Sequence, residues 1–179
     1  MTVGQASDPA VRVSRNSDML LDGLFTGMIG ALVVAVWFLV LDVAAGRPLY
    51  TPALLGTVLL HGAAVAANGP IIAPLEIAAY TAVHFVAFVA VGIVFSQLMN
   101  LFERFPIMFF VLLVLFLSLQ LGVFVADAAL GTQMIGRLAP WSVLIANLLA
   151  AAGMAWYQWL RHPSVLKSVE RLWEHEPQQ

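Results

Sequence analysis

The sequence has no cysteine among its 179 residues, and only 10% of them are charged. The absence of cysteine excludes disulfides, thiolate metal ligands, a cysteine nucleophile and thiol redox chemistry. Soluble domains carry about a quarter charged residues. The shortage of charge therefore excludes water as the solvent for most of this surface.

Basic residues are few as well. Eight Lys and Arg against ten Asp and Glu give a formal net charge of -2. Proteins that bind nucleic acid use clustered basic side chains to neutralise phosphates, and the basic residues here are scattered along the chain. The sequence therefore predicts no nucleic-acid partner and favours the lipid bilayer.

Apolar residues make up 61% of the chain and occur in long runs. A helix needs about 20 apolar residues to cross a bilayer. Four runs predict an all-α membrane protein, a four-transmembrane-helix bundle with spans over about 24–45, 75–101, 107–130 and 139–160. Residues 1–22 then form a cytoplasmic N-terminal tail, 23–160 the transmembrane bundle and 161–179 a cytoplasmic amphipathic tail. The first run is too long for a cleavable signal peptide.

A shorter apolar segment over about 52–67 follows the first span. Thr51 as cap and Pro52 at the first helical position predict its start, and Asn68-Gly69-Pro70 predicts its end. At 1.5 Å per residue such a helix reaches roughly 24 Å, which is short of the hydrocarbon core. We expect a re-entrant or interfacial helix.

The distribution of Lys and Arg favours four spans over five, because short basic loops stay in the cytoplasm. Four spans with a cytoplasmic N-terminus leave only Arg47 and Arg137 outside. Six basic residues then lie inside, namely Arg12, Arg15, Arg104, Arg161, Lys167 and Arg171. A fifth span would give at best five inside and three outside. Both termini are therefore expected in the cytoplasm.

Two sets of small residues predict where helices pack closely, since close approach drives association in lipid. One is a stripe at four-residue spacing in the first span, and the other is in the last span. They are Gly23, Gly27, Ala31 and Ala35, and Ala146 with Ala150. The contacts are either within one chain or across a homodimer.

Polar residues at membrane depth are the candidates for function, because they are costly there. The candidate polar pocket comprises Glu76, Tyr80, His84, Gln120, Asp127 and Asn147. Glu76, Tyr80 and His84 share one helix face, and His84, Gln120 and Asn147 lie at similar depths, roughly 12 to 15 Å from the outer ends of their spans. The alternatives are an outward-opening pocket or proton-relay path, and hydrogen bonds that only join helices.

Histidine is too scarce for a convincing cofactor site. His61 and His84 are the histidines near the membrane, and His61 lies on the short helix of uncertain depth. A zinc site lacks a third ligand with suitable spacing. We expect no haem, no metal and no other cofactor.

The stretch from Trp37 to Asp42, followed by Gly46-Arg47-Pro48-Leu49-Tyr50-Thr51-Pro52-Ala53-Leu54-Leu55-Gly56, resembles a group of small bacterial four-span integral membrane proteins of unknown function. Residues 80–85 and 146–150 fit the same group. The resemblance covers roughly 23–163. It implies a bacterial inner-membrane location and gives emphasis to the Asp42 to Gly56 turn, His84 and Asn147.

Two functions remain open at this point. The first is a non-enzymatic scaffold or accessory subunit that binds a membrane-protein partner or forms a homodimer. The second is a small transporter, channel or sensor with a pocket around His84, Gln120 and Asn147. An enzyme is not expected, because Ser96 and Ser118 lack a convincing base nearby.

Overall fold

The structure is a computed structural model that describes residues 9–102, 108–130 and 140–161. Over these ranges the chain forms six helices and no strand. They are α1 (Pro9–Ala44), α2 (Tyr50–His61), α3 (Ala63–Ala66), α4 (Pro74–Phe102), α5 (Met108–Leu130) and α6 (Pro140–Arg161). The predicted all-α fold is confirmed for these residues. The expected amphipathic helix beyond Arg161 lies outside them.

Three helices within the described ranges are long and apolar enough to cross a membrane. The qualifying segments are Met19–Ala44, Pro74–Gln97 and Pro140–Arg161. In α5 the described apolar segment is Leu112–Val125, which is shorter. The predicted N-terminal tail over 1–22 is helical from Pro9 onward, because α1 begins there and continues without a break into its apolar part.

α1 lies between α4 and α6 and runs antiparallel to both. Along the α4 interface, Gly23 lies against Ile93 and Gly27 against Val89. Along the α6 interface, Trp37 Nε1 donates to the Ser142 carbonyl at 3.1 Å, and Arg161 contacts Asp22 at 2.9 Å. One end of the bundle therefore holds the end of α1 and the starts of α4 and α6, which we call the Asp42 end. The opposite end is the Asp22 end.

The remaining helices lie on the outside of this central group. α5 packs on α6 and α2 packs on α4. The main apolar core joins side chains of four helices. Its buried members are Val34, Phe95, Leu115, Leu119, Ala146, Ala150, Ala151 and Met154. Ala146 and Ala150 are 1% and 0% exposed, so the predicted small residues of α6 lie in this core.

The predicted single helix over 52–67 is divided into two pieces. Gly62 lies between them with φ 84° and ψ 166°, a conformation that ends the helix. α2 also begins earlier than expected, at Tyr50, so Thr51 lies inside the helix instead of at its cap. Apolar residues continue on both sides of Gly62, which is why composition alone showed no interruption.

Candidate functional site

Asp42 joins the end of α1 to the start of α2. Its carboxylate accepts hydrogen bonds from the backbone N–H of Thr51 at 2.7 Å and from the Thr51 hydroxyl at 2.8 Å. Asp42 is only 5% exposed. A carboxylate at a helix start satisfies N–H groups that have no partner within the helix, so Asp42 does what Thr51 was expected to do.

Arg47 lies on the turn between the two helices. Its guanidinium carbon is 4.0 Å from the centre of the Tyr50 ring, a cation–π contact. The Asp42 carboxylate is engaged by Thr51 at the same turn. The acid and the base at this end of α1 therefore have separate partners and do not pair with each other.

His61 and Glu76 form an acid–base pair between α2 and α4. His61 Nε2 lies 3.0 Å from Glu76 Oε1, and the two residues are the last of α2 and the third of α4. The side chain of His61 is 39% exposed, whereas that of Glu76 is 6% exposed. The second carboxylate oxygen, Oε2, is buried and has no hydrogen-bond partner. One partner of this pair is therefore open to solvent and the other is enclosed.

Two neighbouring contacts hold α2 against the start of α4 and the segment that precedes it. Gly56 touches the backbone of Glu76 so closely that a Cβ at this position would overlap the Glu76 carbonyl. Thr57 is 0% exposed, and its hydroxyl accepts the Ile71 N–H at 2.8 Å while donating to the Ala53 carbonyl at 2.8 Å. The position of Glu76 is thus fixed by the backbone as well as by its side chain.

His84 joins α4 to α1 in the middle of the bundle. Its Nε2 lies 3.2 Å from the Ala31 carbonyl, which can only accept, so Nε2 carries a hydrogen. The Tyr80 hydroxyl lies 3.4 Å from Nδ1, and the two rings stack with centroids 5.4 Å apart. A neutral His84 therefore uses both ring nitrogens, and the series of contacts ends on a backbone carbonyl.

Gln120 and Asn147 join α5 to α6. Asn147 is 4% exposed, and its Nδ2 donates to Gln120 Oε1 at 2.8 Å. Asp127 lies two turns along α5 from Gln120 and is partly exposed. Among the described residues no hydrogen bond links His84 with Gln120 or Asn147.

Five of the six predicted pocket residues therefore belong to three different helix interfaces. Glu76 lies between α2 and α4, and Tyr80 with His84 between α4 and α1. Gln120 and Asn147 lie between α5 and α6. The small-residue stripe is used in a similar way, because Gly23 and Gly27 are covered by α4 while Ala35 is exposed.

A second polar cluster at the Asp22 end was not predicted. Gln158 is 1% exposed, and its Nε2 donates to the Thr26 hydroxyl at 2.8 Å. The Thr26 hydroxyl donates to the Asp22 carbonyl at 2.6 Å, and Arg161 contacts the Asp22 carboxylate. Four-residue spacing from Asp22 to Thr26, and three-residue spacing from Gln158 to Arg161, are the sequence signals for this contact.

No three His, Asp or Glu side chains of the described residues come together in a way that could hold a metal ion. His61 and His84, the two histidines weighed as haem ligands, lie at different interfaces and bond Glu76 and the Ala31 carbonyl. Comparison with protein-family models, with curated proteins and with solved structures finds no match to this chain.

Proposed function

We propose that this chain is a four-span membrane protein and that it acts as a non-enzymatic scaffold or accessory subunit. α5 supplies the fourth span, since its 23 residues reach about 34 Å. α2 and α3 form a re-entrant or interfacial segment on the outer side. The distribution of basic residues favours a cytoplasmic location for both termini, and the resemblance to small bacterial membrane proteins favours a bacterial inner membrane.

The observation that carries the accessory role is the way the buried polar side chains are used. His84, Asn147, Gln158 and Thr26 each hydrogen-bond across or along a helix interface. A groove of about 730 Å³ beside the start of α4 is lined by apolar residues and by Thr81, whose hydroxyl donates to the Ile77 carbonyl of its own helix. Such an interior stabilises one arrangement of helices and leaves the outer surface for a partner.

Capture from native membranes tests this role. A tagged chain is solubilised in mild detergent or in polymer nanodiscs, and the mass of its complex is measured by native electrophoresis and mass spectrometry. We expect a stable complex with a membrane partner. Gly27→Leu should disrupt it by separating α1 from α4, whereas His84→Phe should leave it intact. A chain that migrates as a monomer from native membranes would contradict the proposal.

A second function, a small transporter, channel or sensor, is favoured by one observation. Glu76 is a buried carboxylate with an oxygen that has no partner, and Tyr80 and His84 follow it at four-residue intervals. Intramembrane acids of this kind mark ion and proton pathways. Reconstitution in liposomes distinguishes the two roles, because a transporter must show a flux that Glu76→Gln abolishes, and an accessory subunit shows none.

A further inference from the structure

The contact between α2 and α4 has one component that can change its charge. Gly56 contributes backbone packing and Thr57 contributes a neutral hydrogen bond. The third component is the His61–Glu76 pair, with Nε2 and Oε1 3.0 Å apart. Within the part of the chain that the structure describes, protonation can therefore alter this contact through His61 and Glu76.

Burial restricts the charge that this pair can carry. An enclosed carboxylate is costly unless a partner neutralises it, and Glu76 is 5% exposed with Oε2 unpaired. One proton shared between the two side chains makes the pair neutral overall, either as an imidazolium with a carboxylate or as an imidazole with a carboxylic acid. Loss of that proton leaves a net negative charge in the enclosed position.

Other ionisable groups near this position already have partners. From α1, Asp42 accepts two hydrogen bonds from Thr51, and on the connecting turn Arg47 stacks on Tyr50. On α4 itself, Tyr80 contacts His84, and His84 also bonds to the Ala31 carbonyl of α1. Among the described residues none of these groups bonds to His61 or to Glu76. None of them therefore neutralises the negative charge that the pair carries after it loses its proton.

We propose that His61 and Glu76 form a proton-binding site that holds α2 against α4, and that release of its proton undocks α2. The proton exchanges with the aqueous phase at the Asp42 end through the half-exposed imidazole of His61. Docking is stabilised while the pair holds one proton and is weakened as the pH rises and the proton leaves. A second proton, taken up at low pH, places positive charge on the more exposed partner and disturbs the contact less. Gly62, with its positive φ, is the hinge beyond the docked helix.

Distance measurements between spin labels test this site, and the absence of native cysteine allows labels at chosen positions. Leu60 on α2 and Val94 on α4 are exposed, at 44% and 57%, and cysteines there report on the distance between α2 and α4. In nanodiscs between pH 5 and pH 9 we expect a second, longer distance to gain population with pH. Release of one proton changes the ratio of docked to undocked chains by up to about tenfold per pH unit.

Three variants decide the outcome. Glu76→Gln keeps the shape of the side chain without its charge, so its distance should be short and independent of pH. His61→Gln leaves the carboxyl to hold the proton alone, so undocking should move to lower pH. His84→Gln is the matched control and should keep the wild-type response. A wild-type distance that does not change with pH overturns the proposal, as does a response that persists in Glu76→Gln. If Glu76→Gln fails to fold, an unshifted response in His61→Gln overturns it as well.

Discussion

Asn147 and Gln120 are a well-isolated example of polar side chains that join two helices. Each belongs to a different helix, and a single hydrogen bond of 2.8 Å connects them. Inside a bilayer such a hydrogen bond stabilises the bundle by less than the cost of burying an unpaired amide. The reason is that the same amides also find hydrogen-bond partners when the helices are separated. We therefore expect this hydrogen bond to make only a small contribution to the free energy of unfolding.

We expect a double-mutant cycle on Asn147→Leu and Gln120→Leu to give a coupling of about 0.6 kcal/mol and at most about 1.7 kcal/mol. The free energy of unfolding is measured in mixed micelles. Ser118→Ala is the control, since its hydroxyl bonds to Val114 of its own helix. Strictly additive single and double variants would show that the two amides do not depend on each other.

Spacing on one helix could be predicted from the sequence, whereas contacts between helices could not. Tyr80 and His84 are four residues apart, and their side chains lie within 3.4 Å as the helical repeat requires. His61 and Glu76 meet only because α2 ends beside the first turn of α4. That contact depends on the close fit of Gly56 and on how each helix is rotated, and neither has a periodic signal.

At the scale of helices, the α1–α4 interface depends on glycine. A Cβ at Gly92 would overlap the backbone of Gly23 and Gly27, and one at Gly27 would overlap the backbone of Phe88 and Val89. Backbone atoms cannot move aside as a flexible side chain can. The two helices are therefore in direct backbone contact along this stretch. The spacing of small residues in α1 indicated a close contact, and Gly92 is the residue of α4 that allows it.

We expect Gly27→Ala to lower the free energy of unfolding by about 1–3 kcal/mol, the usual cost of overpacking. Gly122→Ala is the matched control, because a Cβ at that helical position meets nothing within 4 Å. It should leave stability unchanged or raise it by up to about 1 kcal/mol through the lower entropy of the unfolded chain. Thermal unfolding in one detergent measures both. Equal effects of the two substitutions would contradict the direct contact.

The boundaries of the long helices were largely predictable, and the region between α1 and α4 was not. Uninterrupted apolar runs fix where a helix must lie in a bilayer, which is why α4 and α6 begin and end near their expected positions. Gly62 interrupts an apolar run, and Asp42 caps a helix that begins eight residues after it. Both features depend on tertiary contacts that local composition does not record.

At the scale of the whole molecule, the helix directions limit the number of crossings. α1 is antiparallel to α4, as shown by Gly23 against Ile93. It is also antiparallel to α6, since Asp22 pairs with Arg161. α4 and α6 therefore run in the same direction, and the chain between them must return from the Asp22 end of the bundle to the Asp42 end. In the four-span arrangement that we propose, α5 makes this return.

Cysteine labelling tests this arrangement, because every introduced cysteine is unique in the chain. We expect Ser7→Cys and Gln178→Cys to react with a membrane-impermeant maleimide only when the cytoplasmic face is accessible, in inverted vesicles. Ala45→Cys and Thr132→Cys should react in intact cells. Three crossings would instead place Ser7 and Gln178 on opposite sides, which contradicts the pairing of Asp22 with Arg161 at one end of the bundle. Reversed labelling of all four positions would keep the four spans and invert the orientation inferred from the basic residues.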